Sequence, residues 1–129
     1  MNKIVLDASA LLALLNQEPG SETLTPELLS GAAISTVNLA EVHSKLVSRG
    51  LSPDDAWEAA LGPIREAVPF TAEHARLVGD LVAQTLPLGL SLGDRACLAL
   101  GLDLTAPVYT ADKSWKKLKV AARIHVIRR

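Results

Sequence analysis

Apolar positions along the chain fall into five short runs separated by longer stretches of helical spacing. "KIVL" (3–6), "AAISTV" (32–37), "AVPF" (67–70), "PVYT" (107–110) and "RIHVI" (123–127) are short and mostly rich in β-branched or aromatic residues, as strands are. Between them the apolar residues recur three and four apart, the period of a helix face. Strands alternating with helices predict a parallel-type sheet covered on both faces, an α/β/α sandwich.

Punctuation supports the helices. "LAEVHSKLVSRG" closes at Gly50, and "SPDDAWEAALGP" opens on a Ser52 cap, with Pro53 at its first helical position and two acids in the first turn. "TAEHARLVGDLVAQTLP" predicts one helix from a Thr71 cap to Pro87, with Ala75, Leu77, Val78, Leu81 and Val82 on its buried face. "SLGDRACLALG" predicts a helix from a Ser91 cap to Gly101. There is no repeat and no linker, so residues 1–129 read as a single domain.

Composition adds bounds. Apolar residues make up 49% of the chain and charged residues 21%, as in globular proteins, but aromatics only 3%, so the core must come from Leu, Ala, Val and Ile. A single cysteine, Cys97, excludes an internal disulfide and argues against a thiolate metal site. It is most simply a core residue. Neither a secretory signal pattern nor a membrane-length apolar run is present, which predicts a soluble, cytoplasmic protein. Net charge is −1, yet seven of the 13 basic residues lie from Lys113 onward, with no acid after Asp112. Such a tail is either a solvated surface or a phosphate-binding one.

Candidate chemistry sits at the seams between elements. Asp7 follows the first strand, Glu41 lies one turn into a helix, Asp94 occupies a helix's first turn, and Asp112 comes just after "PVYT". Each has a structural explanation. Asp7 and Asp112 can be N-caps, Ser91-x-x-Asp94 has the form of a capping box, and Asn38-x-x-Glu41 resembles one. Together, however, they would gather at the carboxyl edge of one sheet, where ligands of open parallel sheets bind. Carboxylates so placed repel one another unless a hard divalent cation such as Mg²⁺ or Mn²⁺ neutralises them.

"IVLDASALLALLNQEPG", "ISTVNLAEV", "LSLGDRACLALG" and "PVYTADKSW", in that order, give the chain a strong resemblance to the PIN-domain family, and within it to the VapC-like toxins of toxin–antitoxin pairs. The resemblance implies a PIN-like three-layer fold with a mostly parallel sheet. It further implies a Mg²⁺- or Mn²⁺-dependent endoribonuclease acting on transfer or ribosomal RNA, held by a cognate VapB-like antitoxin and commonly a homodimer. Asp7, Glu41, Asp94 and Asp112 match the family's acidic quartet, with Ser9 and Thr110 as hydroxyls that would fix the carboxylates. Asp112 stands at the position where the family's metal contact is often weakest. Arg95, Lys113, Lys116 and Lys117 become candidates for holding RNA.

Trp115 reads as a core anchor ahead of a base-stacking platform, and none of His43, His74 and His125 is placed for a nucleophilic triad. The segment from Asp54 to Ile64, with Trp57 and Leu61, is the expected groove for an antitoxin helix. Asp7-Ala8-Ser9 lacks the second acid of a HAD-like phosphatase, and no acid pair marks a receiver domain. The remaining alternative is a catalytically silent PIN-like module that binds RNA or a partner.

Overall fold

The computed structural model describes residues 2–128. Five strands, β1 (Ile4–Leu6), β2 (Ala32–Ser35), β3 (Glu66–Val68), β4 (Val108–Thr110) and β5 (Ile124–Val126), form one sheet in the order β3-β2-β1-β4-β5. Every pairing in it is parallel. The helices are α1 (Ala8–Leu15), α2 (Pro26–Leu29), α3 (Thr36–Ser48), α4 (Pro53–Leu61), α5 (Ala72–Asp80), α6 (Val82–Thr85) and α7 (Leu92–Leu104). They cover both faces, which is the expected three-layer α/β/α arrangement.

Side-chain alternation along β1 distributes the core. Val5 points into a cluster with Cys97, Leu98, Leu100 and Trp115, whereas Ile4 and Leu6 join Ala10 and Ala13 of α1 on the opposite face. A further cluster packs Leu11 and Ile34 against α3 and α4. Aliphatic residues, chiefly Leu, Ile, Val and Ala, make up these contacts, as the scarcity of aromatics requires. Trp115 is 1% exposed, so it is a core anchor and offers no surface for a base.

Three predicted elements differ. The segment 71–87 is not one helix: α5 ends at Asp80, Leu81 caps it with ψ opened to −2°, and α6 is followed by a 3₁₀ turn, Leu86–Leu88. The bend seats Leu81 in the core, and Thr85 Oγ1 donates to its carbonyl at 2.7 Å. On α5 the buried positions are His74 and Val78, with Ala75 exposed; His74 completes a capping box with Thr71 and bonds Asp103 at 2.8 Å. Gly101 does not end its helix. α7 continues to Leu104 and is closed by Thr105 in the left-handed region at φ 50°. Glycine is required at 101 because a Cβ there would stand 2.4 Å from Val108 Cγ2, where the helix crosses β4. The run 32–37 is likewise split, since Ser35 ends β2 and caps α3, which takes Thr36 and Val37. Asn38 is therefore not a cap but an interior, buried helix residue.

Candidate active site at the strand ends

Strand register sets the site. Val5 pairs with Ala33 and Leu6 with Tyr109, so the next positions bring Asp7 level with Ser35 and Thr110 at the carboxyl ends of the three central strands. There the chain turns into helices, and their caps carry the chemistry. Asp7 caps α1, its Oδ1 accepting from Ala10 N at 2.7 Å. Asp94 caps α7 reciprocally with Ser91, its Oδ2 accepting from Ser91 N at 2.9 Å. Asp112 caps the 3₁₀ turn Lys113–Lys117, accepting from Ser114 N at 2.9 Å. Capping does not exclude chemistry: Asp7, Asp94 and Asp112 all line one cleft of about 720 Å³, which Glu41 of α3 also lines.

Asp7 is the buried member, 3% exposed. Thr110 Oγ1 donates to its Oδ2 at 2.6 Å, and Ser9 Oγ lies 2.8 and 2.9 Å from its two oxygens. Burial pushes its pKa from an ordinary 3.8 to about 6; the hydrogen bonds from Thr110, Ala10 and Ser9 oppose this, and the charge of Asp94 adds to it. Ser9 and Thr110 thus stand where the sequence put them. Ser9 also ties the β4 end to α1, since its Oγ accepts from Ala111 N at 2.9 Å, while Thr110 Oγ1 accepts locally from Asp112 N at 3.1 Å.

Glu41 is placed by Asn38, which the sequence offered only as a cap, and by Gly93, which it did not flag. Asn38 Nδ2 donates to Glu41 Oε1 at 2.8 Å and to the Gly93 carbonyl at 2.9 Å. Gly93 supplies the room: a Cβ there would lie 2.5 Å from Glu41 Oε1. The carboxylate of Glu41 therefore rests against the first turn of α7, beside Asp94. The available signal was Asn38 at i−3 from Glu41, the spacing at which helix side chains meet.

Among the described residues, no three His, Cys, Asp or Glu side chains are drawn together as a ready metal-binding group. The acids share a cleft without converging on one point. Their chemistry nevertheless fits a hard divalent cation, because the cleft holds four carboxylates and no thiol or imidazole, and Gly93 keeps the seat of Glu41 open.

The basic candidates divide. Lys113 lines a second cleft of about 540 Å³, which shares Ser9, Leu12 and Asp112 with the acidic one. Arg95 turns away, its Nη1 donating to the Val78 carbonyl at 3.0 Å. Lys116 lines a separate hollow with Trp115 and His125, and Lys117 lines neither cleft. Lys45 and Arg49 of the α3 end, which the sequence did not single out, also line the clefts. Their signal was the spacing Glu41, Lys45, Arg49, one turn apart on one face.

A parallel α/β/α sandwich with carboxylates at its central strand ends defines a class of acid-centred α/β proteins. The PIN domain family matches residues 4–121, and the chain belongs to that family. Solved structures of similar fold include DNA-bound VapBC from Salmonella typhimurium, with a TM-score of 0.74 at 16% identity over 98% of this chain and 99% of that one. VapBC2 from Rickettsia felis, bound to a fragment of its promoter DNA, has a TM-score of 0.72 at 20% identity, over 95% and 96%. VapC20 of Mycobacterium tuberculosis, a Sarcin-Ricin loop cleaving toxin, has a TM-score of 0.70 at 19% identity, over 94% and 99%. No curated protein matches the chain in sequence. No helix among the described residues is long and apolar enough to cross a membrane.

Proposed function

We propose that this protein is a Mg²⁺- or Mn²⁺-dependent endoribonuclease of the VapC kind, the toxin of a VapBC-type pair, hydrolysing phosphodiester bonds in transfer or ribosomal RNA. The observation that carries the reading is the arrival of Asp7, Glu41, Asp94 and Asp112 in one cleft of a PIN domain.

Asp7, Glu41 and Asp94 would hold the ion, with Asp112 completing the set or orienting water. A bound divalent ion lowers the pKa of a water and offsets charge on the phosphate. The chain's own residues do the rest. Thr110 and Ser9 hold both oxygens of Asp7, and Asn38 holds Glu41. The Ser91 amide orients Asp94. Asp7 must shed its proton to act as a ligand, and its raised pKa makes that step sensitive to mild acid. Lys113, beside Asp112, offsets the repulsion of an incoming phosphate.

Partners follow the same reading. Similar structures are complexes of toxin and antitoxin, and a VapB-like antitoxin is the proposed partner here. On α4, Trp57 is 44% exposed and sets its ring edge-on to His43 at 5.3 Å, while Leu61 is part-buried against the α3 core. An apolar antitoxin helix would cover Trp57. Leu86 and Leu92, 69% and 56% exposed, are where a second copy would add most burial.

The test is cleavage of total bacterial RNA with Mg²⁺ or Mn²⁺, with EDTA, and by an Asp94→Asn protein of equal thermal stability. Site-selective cutting that needs the metal and vanishes in the variant is the expected result. Wild type and variant equally inert on total and transfer RNA would favour the silent-module alternative. Equal cutting by both would place the activity elsewhere.

A further inference from the structure

We infer that a single RNA strand leaves the acidic cleft along the C-terminal half of α3, its phosphates held by Lys45 and Arg49, with Lys113 lining the same second cleft as Arg49. This rests on the endoribonuclease reading and extends it to how the substrate lies.

The helix sets the spacing. Glu41, Lys45 and Arg49 are four residues apart, so each step advances about 6 Å along the axis with little rotation. One face of α3 therefore presents an acid, then a cation, then another cation. Lys45 lines the acidic cleft, Arg49 lines its neighbour, and the two clefts share Ser9, Leu12 and Asp112, so the path is continuous. Ser44 and Ser48 also line the acidic cleft, but their hydroxyls bond their own helix at the Ala40 and Lys45 carbonyls, at 2.7 and 2.8 Å. The cations are left as the donors this face offers.

Those cations are also free. Among the described residues, Lys45, Arg49 and Lys113 enter no salt bridge, although acids lie near them. Arg128, at the far side of the second cleft, is paired with Glu18 and is not free. Exposed, unpaired cations beside an acidic cleft suit a polyanion that must cross it. An acidic peptide would meet the carboxylates along its length and be repelled. A nucleic-acid strand needs only its reacting phosphate there and can place the following ones on Lys45 and Arg49. Both residues also complement the negative end of the α3 dipole, a role that stability measurements would detect and RNA affinity would not.

The experiment is fluorescence anisotropy of a labelled single-stranded RNA oligonucleotide with the full chain in EDTA, where nothing is cut, over a range of salt concentrations. Removing two phosphate contacts from a single strand lowers the salt slope by about 1.4 and the affinity by roughly twentyfold at 0.1 M salt. That result is expected for Lys45→Ala/Arg49→Ala. The charge-preserving Lys45→Arg/Arg49→Lys should keep the wild-type slope. Lys3→Ala/Arg65→Ala removes equal charge at the opposite end of the strands, where both line another hollow, and should bind as wild type does. Wild-type slope and affinity in Lys45→Ala/Arg49→Ala would overturn the inference. So would a loss confined to a polyglutamate peptide, which would assign the surface to an acidic protein partner. If metal-dependent cleavage persists while the double variant binds RNA normally, only this inference fails. Absence of both cleavage and binding in the wild type defeats the enzymatic reading as well.

Discussion

Asn38 fastens Glu41 to the first turn of α7: one amide nitrogen donates to the Glu41 carboxylate at 2.8 Å and to the Gly93 carbonyl at 2.9 Å. Two helices from distant parts of the sequence are joined beside the cleft that their acids, Glu41 and Asp94, both line. Asn38 is 1% exposed, so losing its amide strands a buried carbonyl. Asn38→Asp keeps the shape, removes both donors and adds a charge beside Glu41. We expect it to cost about 1–3 kcal/mol of stability and to weaken Mn²⁺ binding roughly 10–100-fold. Denaturant unfolding and calorimetric titration with Mn²⁺ read the two effects separately. Wild-type Mn²⁺ affinity in a folded Asn38→Asp protein would show that Asn38 does not position Glu41.

Asp7 makes stability depend on pH in an uncommon direction. Its folded pKa, about 6, lies above the ordinary 3.8, so the native state binds the proton more tightly than the unfolded chain does. The contribution of Asp7 to stability therefore falls as pH rises from about 4 to 6, by an amount of order 3 kcal/mol, and stays low above that. In metal-free protein, Asp7→Asn should remove this slope and raise the melting temperature at pH 7.5 by several degrees. The gain should vanish near pH 4. Mn²⁺ affinity of the wild type should drop below about pH 6, because the ion must displace the Asp7 proton. A melting temperature for Asp7→Asn that is lower than wild type at pH 7.5 would refute the desolvation account.

Thr110→Val tests the same carboxylate from the strand side. The hydroxyl is fully buried, donates to Asp7 Oδ2 at 2.6 Å and accepts from Asp112 N at 3.1 Å. Valine nearly matches its volume but can do neither. Losing the donor should raise the Asp7 pKa further and shift the pH midpoint of Mn²⁺ binding upward, at a stability cost of about 1–3 kcal/mol. An unchanged midpoint would mean that Ser9 and the Ala10 amide hold Asp7 without Thr110.

Cys97 should be silent in the folded protein. It is fully buried in the core beneath the site, and burial together with the charges of Asp7, Asp94 and Glu41 holds its thiol well above the ordinary range. Labelling by a thiol reagent should proceed at the rate of global unfolding and accelerate with denaturant. Fast labelling under native conditions would show that this layer opens locally.

Much of this site could be read from the chain because strand ends and caps leave strong local marks. Asp7 and Asp112 follow apolar runs directly, and Ser91-x-x-Asp94 is a capping box written into the sequence. The strands' common direction followed from the βα alternation, whereas their order in the sheet did not. What was hidden depends on which face of a helix meets another element. Asn38 looked like a cap because the end of β2 is masked by Ser35, Thr36 and Val37, three residues of good strand character of which two begin α3. Charge counts drew attention to Lys116 and Lys117, yet neither lines the two clefts, while Lys45 and Arg49 do, through the phase of α3. The bend at Leu81 likewise has no local marker, since burial of its side chain beside Leu90 and Cys97 decides it.

Two glycines of α7 separate the site from its scaffold. A Cβ on Gly93 would press within 2.5 Å of Glu41 Oε1, the far end of a flexible, exposed side chain that can swing aside. Alanine also favours a helix over glycine by about 1 kcal/mol. Gly93→Ala should therefore fold with near wild-type stability while pushing Glu41 from its seat, lowering Mn²⁺ affinity and RNA cleavage together. A Cβ on Gly101 would instead meet Val108 Cγ2 at 2.4 Å inside the fully buried contact of α7 with β4. Gly101→Ala should cost about 1–3 kcal/mol through overpacking, with Mn²⁺ affinity retained in the molecules that fold. Melting curves and Mn²⁺ titrations on the pair give opposite patterns if the acidic cleft is a metal centre mounted on an independent core. Matching losses of stability and Mn²⁺ affinity in both variants would mean that site and scaffold are one packing unit.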